Sequence, residues 1–418
     1  MKRLLLLAVL TAGLCPGRSA ADDALVEEAR HLCAYAPVDF PRAAELLRRA
    51  EAAGSADATA HLGLLYAGGE GVPYDPEHAR ELYRAAADRG SSVGRLLAAE
   101  SLLFGPDAAD GIAELSKLAD SDDRSAWAAC QALSTHFGFR AARSLPANGG
   151  DTALAALWRS RALVLLEPLA RAGDPDARVA YGSFLLYPAP GVDRDAFRAG
   201  AEASRAWFLP EAERGSLNAM QALVVSYDTN IFPRPFFQPD DPAADATDAA
   251  QRDRWCGELR TALERAVDQG SVAHAVSLAR ILSDDDCGAT DPARAAELFR
   301  RSADAGHPFA ALYLARCLER GTGVAKDEAA AEARYRAVLA ANPIDAGIAR
   351  PEAAQRLARL LLRRGPDGRP EAKRLLNLAR KEPANFGNVA THALRTWKQD
   401  GPDAALSILD HFYPDTER

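Results

Sequence analysis

The chain has 418 residues, 48% of them hydrophobic but only 7% aromatic, and its 50 basic side chains are outnumbered by 58 acidic ones, for a net charge of −8. Such acidity argues against nucleic-acid binding, which needs a basic footprint. No run approaches the ~18 apolar residues of a transmembrane helix.

The chain opens MKRLLLLAVLTAGLCPGRSAADD. Lys2 and Arg3 form a basic start, Leu4 to Leu14 an apolar core, and Ser19 and Ala21 the small residues before a cut at Asp22. This is the pattern of a secretory signal peptide over 1–21. It predicts an exported chain, periplasmic or secreted, running 22–418. Loss of Lys2, Arg3 and Arg18 leaves 47 basic against 58 acidic residues, about −11. Cys15 follows Leu14 rather than a small residue, so a lipid anchor at Cys15 is not expected. Five cysteines follow, Cys33, Cys130, Cys256, Cys287 and Cys317. In an oxidising compartment an odd count leaves at least one thiol over.

Abundant alanine and scarce β-branched runs favour helix, and no strand is expected. The chain then repeats itself, and the repeat decides the fold. Successive units end on Gly54, Gly90, Gly173, Gly215, Gly270 and Gly306, with 36 residues from Gly54 to Gly90 and again from Gly270 to Gly306. A further 36 reach Asn342, the other residue that accepts a left-handed helix end. Within a unit, Ala58, Leu62, Leu65 and Tyr66 make one apolar stripe of helical period, and Ala79, Leu82, Tyr83 and Ala86 a second. Between them lies GGEGVPYDPEHA. Its glycines permit positive φ and end helix A. Asp75 is placed to cap helix B, with Pro76 at its first position. The same grammar returns as PGVDRDA at 190–196 and GTGVAKDEAA at 321–330, and in degraded form as GPDGRPEA at 365–372.

Residues 58–90 resemble the Sel-one-like repeat (SLR) family, relatives of the tetratricopeptide repeat, through A-x-x-x-L-G-x-L-Y-x-x-G-x-G-V-x-x-D followed by A-x-x-x-Y-x-x-A-A-x-x-G. Residues 177–215 and 310–342 are similar to it, 273–306 partly so, while 93–138 lacks the GxGV loop. The resemblance implies an all-α, right-handed superhelical solenoid of nine or ten stacked antiparallel helix pairs. One solenoid is expected over 22–418, closed by a capping helix at about 402–414. The interval from Gly215 to Gly270 is 55 residues, and its excess is read as a loop insertion at about 228–253.

Chemistry finds little support. GSSVG at 90–94 matches a serine-hydrolase pattern, but that pattern needs a strand before the serine. The equivalent places read GSLNA at 215–219 and GSVAH at 270–274. The eight histidines form no i, i+4 ligand pair, and SDDDCGATD at 283–291 lacks the alternating ligands of a calcium loop. GGEGVPYD has neither the preceding strand nor the Lys-Ser/Thr of a phosphate loop. No catalytic residue, metal or cofactor is expected.

The resemblance implies a non-enzymatic scaffold that binds another protein along a concave groove lined by A helices. Tyr181, Tyr187, Trp207 and Trp255 are contact candidates, with Phe232, Phe236 and Phe237 of the insertion, since exposed aromatics make hot spots. Packing of those rings over the solenoid edge is the alternative. A basic stretch from Arg350 to Lys381 reads as a solvated helix face, with an acidic partner or an anionic membrane face as the alternative. Relatives in exported bacterial proteins often carry disulfides, and Cys256 with Cys287 is the pair that shares an edge; two separate thiols is the alternative. Proteins similar to this family include envelope assembly factors and neutralising partners of secreted antibacterial toxins. Glycan or cell-wall binding and weak hydrolysis are further readings.

Overall fold

In the computed structural model, residues 20–103, 105–143, 149–187, 194–227, 242–283, 290–381 and 389–414 are described. The predicted signal peptide up to residue 19 lies outside them. Among these residues the chain is all α, with 21 α-helices, one 3-10 turn at Pro366–Gly368, and a single isolated bridge between Tyr35 and Ser216 in place of any strand. Apart from one short extra helix, the helices follow one another as ten A–B pairs. Pairs 1 to 3 are α1 (Ala20–Ala34) with α2 (Phe40–Ala52), α3 (Ala56–Gly68) with α4 (Pro76–Asp88), and α5 (Ser92–Leu102) with α6 (Ala108–Ala119). Pairs 4 to 6 are α7 (Ala126–Arg143) with α8 (Gly149–Arg171), α9 (Pro175–Leu186) with α10 (Arg194–Glu213), and α11 (Leu217–Ser226) with α12 (Pro242–Asp268). Pairs 7 and 8 are α13 (Val272–Ser283) with α14 (Pro292–Asp304), and α15 (Pro308–Arg320) with α16 (Glu328–Ala340). After the short α17 (Pro343–Ala346) come α18 (Ala349–Arg364) with α19 (Arg369–Lys381), and α20 (Val389–Asp400) with α21 (Pro402–Phe412). The expected array of helix pairs is therefore the one that forms, with α21 at the position of the predicted capping helix.

Helix ends obey local chemistry. Ser55 Oγ accepts from Ala58 N at 3.2 Å, and Asp75 Oδ1 from His78 N at 2.9 Å, each satisfying a free N–H of the first turn. Gly69 ends α3 in the left-handed region at φ 62°. Two other repeat glycines answer to packing. A Cβ on Gly63 would stand 2.6 Å from the Tyr83 ring, and one on Gly71 2.6 Å from the backbone of Phe40. Thus the glycine of L-G-x-L-Y is a notch for the helix B aromatic, as at Gly182 beneath Phe208.

The chain forms two compact units, one of Met1–Leu103, Ala109–Thr135 and Ala153–Thr290, the other of Phe104–Ala108, His136–Thr152 and Asp291–Arg418. Within the first, pairs far apart in sequence meet along a polar seam. Arg30 of α1 pairs with Asp176 of α9, and Tyr35 Oη donates to Glu211 Oε2 of α10 at 3.1 Å. Ala36 N donates to Gly215 O at 2.8 Å. Gln269 clips the start of α2, accepting from Phe40 N at 2.9 Å and donating to Val38 O. Beyond it, Val272 N donates to Gly69 O at 3.3 Å, and Glu70 Oε1 lies 3.3 Å from His274 Nδ1. Helix α3 is consequently buried over Ala56–Leu65, packed by α1, α2, α4, α5 and α13.

The second unit is organised around α18, buried at twelve positions and packed by α15, α16, α19 and α21. The basic stretch is a solvated face only in part: Arg363, Arg364, Lys373, Arg374, Arg380 and Lys381 are exposed, but two arginines of α18 are core. Arg356 and Arg359 are 3% and 1% exposed. Both donate to Glu319 of α15, Arg359 Nη1 to Oε1 at 2.5 Å and Arg356 Nη1 to Oε2 at 3.3 Å. Tyr335 Oη donates to the same carboxylate at 2.5 Å, and Arg359 Nε reaches Asp410 of α21 at 2.7 Å. A buried charge of this kind persists only when fully partnered.

The predicted insertion is shorter than expected as a loop. Helix α12 starts at Pro242, so 242–253 are its first turns. Residues 228–241 lie outside the described set.

Candidate protein-interaction site

Helix α9 starts on Asp174, whose carboxylate accepts from Ala177 N, with Pro175 at its first position. Helix α9 packs along α10. Tyr181 and Trp207 meet edge to face with ring centroids 4.9 Å apart, the arrangement aromatic quadrupoles prefer. Both are half-buried, and Ala203, Ala206 and Pro210 beside Trp207 are exposed. The pair thus offers a rigid aromatic edge on a surface of small side chains.

Arg205 organises the neighbouring ground. Its guanidinium grips Asp248 of α12 with two hydrogen bonds, 3.0 and 2.9 Å, and donates to Ser226 O at 2.8 Å. The same group lies 3.9 Å from the Tyr227 ring centroid, a cation–π contact. Burial raises the Tyr227 phenol above its ordinary pKa, while Arg205 opposes the rise. One planar side chain therefore ties the C-terminal end of α11 to the first part of α12. Sequence reasoning missed Arg205, because nothing local marks an arginine that bridges two helices.

The other contact candidates fare differently. Trp255 is fully buried, at 0% exposure in α12, so it is core and offers no contact surface; the helix start at Pro242 buried what a loop end would have exposed. Tyr187 is half-buried at the C-terminal cap of α9. Phe232, Phe236 and Phe237 lie outside the described residues. Cys256, inside α12, is disulfide-bonded, and Cys287 lies outside the described residues. Cys33 and Cys130 are buried thiols whose pKa burial raises, which makes them poor nucleophiles.

One constellation invites a catalytic reading. Ser271 Oγ lies 2.9 Å from His274 Nδ1, and Glu70 Oε1 lies 3.3 Å from that same nitrogen. A nucleophilic triad needs serine and carboxylate on opposite ring nitrogens. Ser271 is moreover 2% exposed and accepts from His274 N as a helix cap. Ser92 is the first residue of α5, in a helix-to-helix turn. No group of three metal-ligating side chains occurs among the described residues. No helix among them is long and apolar enough to cross a membrane.

The Sel1 repeat model matches residues 34–55, 56–91, 278–307 and 308–333. The chain carries Sel1 repeats over those four segments. No curated protein matches it. Among solved structures, the chain is similar to c5321, described as a protective antigen present in uropathogenic Escherichia coli strains and displaying an SLR fold. Identity is 18%, over 94% of this chain and 84% of that one, with a TM-score of 0.29. It is also similar to a Sel1 repeat protein from Oxalobacter formigenes, at 22% identity over 78% and 85% of the two chains, again with a TM-score of 0.29. Sel1 repeats generally build helical scaffolds for contacts between proteins, without chemistry of their own.

Proposed function

We propose that this chain is a non-enzymatic scaffold of the bacterial envelope that binds a partner protein through the α9–α10 face. The observation that carries this reading is the half-exposed Tyr181–Trp207 pair on a surface of small side chains. Trp and Tyr are among the residues enriched in binding hot spots. The inner faces of α3 and α18 are taken up by the chain's own side chains, which favours an outward-facing contact over a groove there. The aromatic segment with Phe232, Phe236 and Phe237 is a further contact candidate on its composition alone. Export rests on the first 21 residues. A neutralising partner of a secreted toxin is a special case of this reading, in which the bound protein is the toxin.

The test is capture from envelope extract on mature protein, residues 22–418, beside two variants. One carries Tyr181→Ala and Trp207→Ala, and the other replaces 229–241 with a Gly-Ser linker. A protein retained by the parent and lost on the aromatic variant supports the reading. Equal retention on all three columns overturns it, and retention of glycan alone replaces it with cell-wall binding.

A further inference from the structure

The charge of this acidic chain is unevenly spread. Residues 369–400, which cover α19 and α20, hold seven basic and three acidic side chains, +4 against −8 for the whole chain, so the remainder carries −12. Surface arginines elsewhere in the second unit are matched by the chain's own carboxylates: Arg300 by Glu297, Arg334 by Asp304, Arg336 by Glu332 and Glu371, and Arg364 by Glu332. Lys373, Arg380 and Lys381 of α19 and Arg395 and Lys398 of α20 are exposed and form no ion pair with a described carboxylate. The sequence places no acidic residue three or four positions before or after any of the five, the spacing at which a helix neutralises its own charges. Arg395 and Lys398 are instead a like-charged pair at that spacing, which costs helix stability. The helix dipole favours Arg380, Lys381 and Lys398 in their last turns. It does not account for Lys373 in the first half of α19 or for Arg395 in the middle of α20.

The two helices present these cations as one surface. Lys373 and Arg380 lie two turns apart on the same side of α19, about 10 Å along its axis. Lys373 Nζ stands 5.9 Å from the centroid of the Trp397 ring of α20, a cation–π contact that joins the helices at the level of Lys398. Trp397 itself is half-buried, and Leu375 and Leu376 of α19 are core. Neither helix exposes a large apolar side chain among its described residues. Docking on a bilayer needs apolar area to enter the headgroup layer as well as charge, and this face supplies charge alone. That composition favours a soluble acidic partner over a membrane.

We propose that the α19–α20 face docks an acidic segment of a partner protein, whose carboxylates supply the ion-pair partners that Lys373, Arg380, Lys381, Arg395 and Lys398 lack within the chain. About three or four residues of extended peptide span the distance from Lys373 to Arg380, so a short run of Asp and Glu reaches both. Screening over about 8 Å at physiological ionic strength separates the field of the patch from the acidity of the remainder. The inference is independent of the Tyr181–Trp207 surface, which belongs to the first unit.

Fluorescence anisotropy of a labelled poly-glutamate peptide titrated with mature protein tests it, beside three variants that change net charge equally and are confirmed as folded by thermal melts. Lys373→Glu with Arg380→Glu reverses the α19 part of the patch, and Arg395→Glu with Lys398→Glu the α20 part. Arg300→Glu with Lys326→Glu is the control, since both cations are exposed but already paired, with Glu297 and Glu328. The parent is expected to bind, and more weakly as salt rises. Each patch variant is expected to weaken binding roughly tenfold, because two exposed charge contacts turn repulsive, and the control less than about twofold. A parent that does not bind, patch variants that bind as the parent does, or a control that loses as much as they do would each overturn the proposal. Binding to phosphatidylglycerol vesicles without binding to the peptide would overturn it in favour of a membrane contact.

Discussion

Two glycines show how little a residue type says until its surroundings are known. Gly63 lies in α3 with the Tyr83 ring 2.6 Å from where a Cβ would be, whereas Gly257 in α12 has nothing within 4 Å. Gly63→Ala is therefore expected to destabilise by about 1–3 kcal/mol through overpacking, and Gly257→Ala to stabilise by up to about 1 kcal/mol through helix propensity. Urea denaturation of the two variants checks the opposite signs. Titratable residues divide in the same way. Burial lowers His307 to a pKa of about 4, and the ring caps α15 by accepting from Ala310 N at 3.4 Å. With a folded pKa below the ordinary 6.5, its contribution is present above pH 6.5 and lost as pH falls toward 4. His307→Asn keeps an acceptor without the charge, so it is expected to match the parent at pH 7 and exceed its melting temperature at pH 5. Burial raises Glu100 to about 8. Its contribution runs the other way, present below pH 4.5 and lost as pH rises through 8. Glu100→Gln is expected to raise the melting temperature at pH 8.5 more than at pH 4.5.

At the scale of an element, α18 carries the lesson. Glu319 is the shared acceptor for Arg356, Arg359 and Tyr335, with side-chain exposures of 2%, 4% and 1% for Glu319, Arg356 and Arg359. Removing it takes the shared carboxylate from two buried guanidinium groups, leaving Arg359 with Asp410 and Arg356 with Glu352, so Glu319→Ala is expected to cost about 3–5 kcal/mol. Arg364, 43% exposed where it pairs with Glu332, is expected to cost under about 1 kcal/mol on mutation to alanine. Chemical denaturation of both variants measures the contrast. The helix pairs, their caps and their loop glycines were legible in the sequence because all of their determinants are local. Asp75 needs only His78, and Gly63 needs only the next helix. The two buried arginines of α18, Arg356 and Arg359, were not legible. Their spacing reads as a solvated stripe, and the carboxylates that claim them, Glu319 and Asp410, lie 37 to 51 residues away. Trp255 misled for a related reason, since the proline-rich stretch before it hid the start of α12.

At the scale of the molecule, the seam sets the first unit apart from a chain of neighbouring repeats. A solenoid held only by neighbours has a stability that is roughly a sum over adjacent repeats. The Gln269 clip couples pair 1 to pair 6 across 229 and 231 residues. Gln269→Ala leaves the Phe40 amide without its acceptor and is expected to cost about 1–3 kcal/mol. Hydrogen exchange is expected to quicken together in α1–α3 and in α11–α13. Quickening confined to α12 would mean that the first unit behaves as a plain chain of neighbours. The α9–α10 face was partly legible, since Tyr181 and Trp207 are where their helices were expected to be. Arg205 was not, because its partners come from two other segments, Ser226–Tyr227 and Asp248.

The same seam has a history in time. A ribosome adding about 5–20 residues each second makes Phe40 roughly 10–50 s before Gln269 exists to receive it. Throughout that interval the first two pairs are folded or unfolded without their cover, with the Phe40 amide, the Gly69 carbonyl and the Glu70 carboxylate lacking Gln269, Val272 and His274. The amino terminus is thus the first part made and the last part secured. Any nascent chain cut short before α13 ends with its earliest repeats unprotected, a natural target for chaperones and proteases.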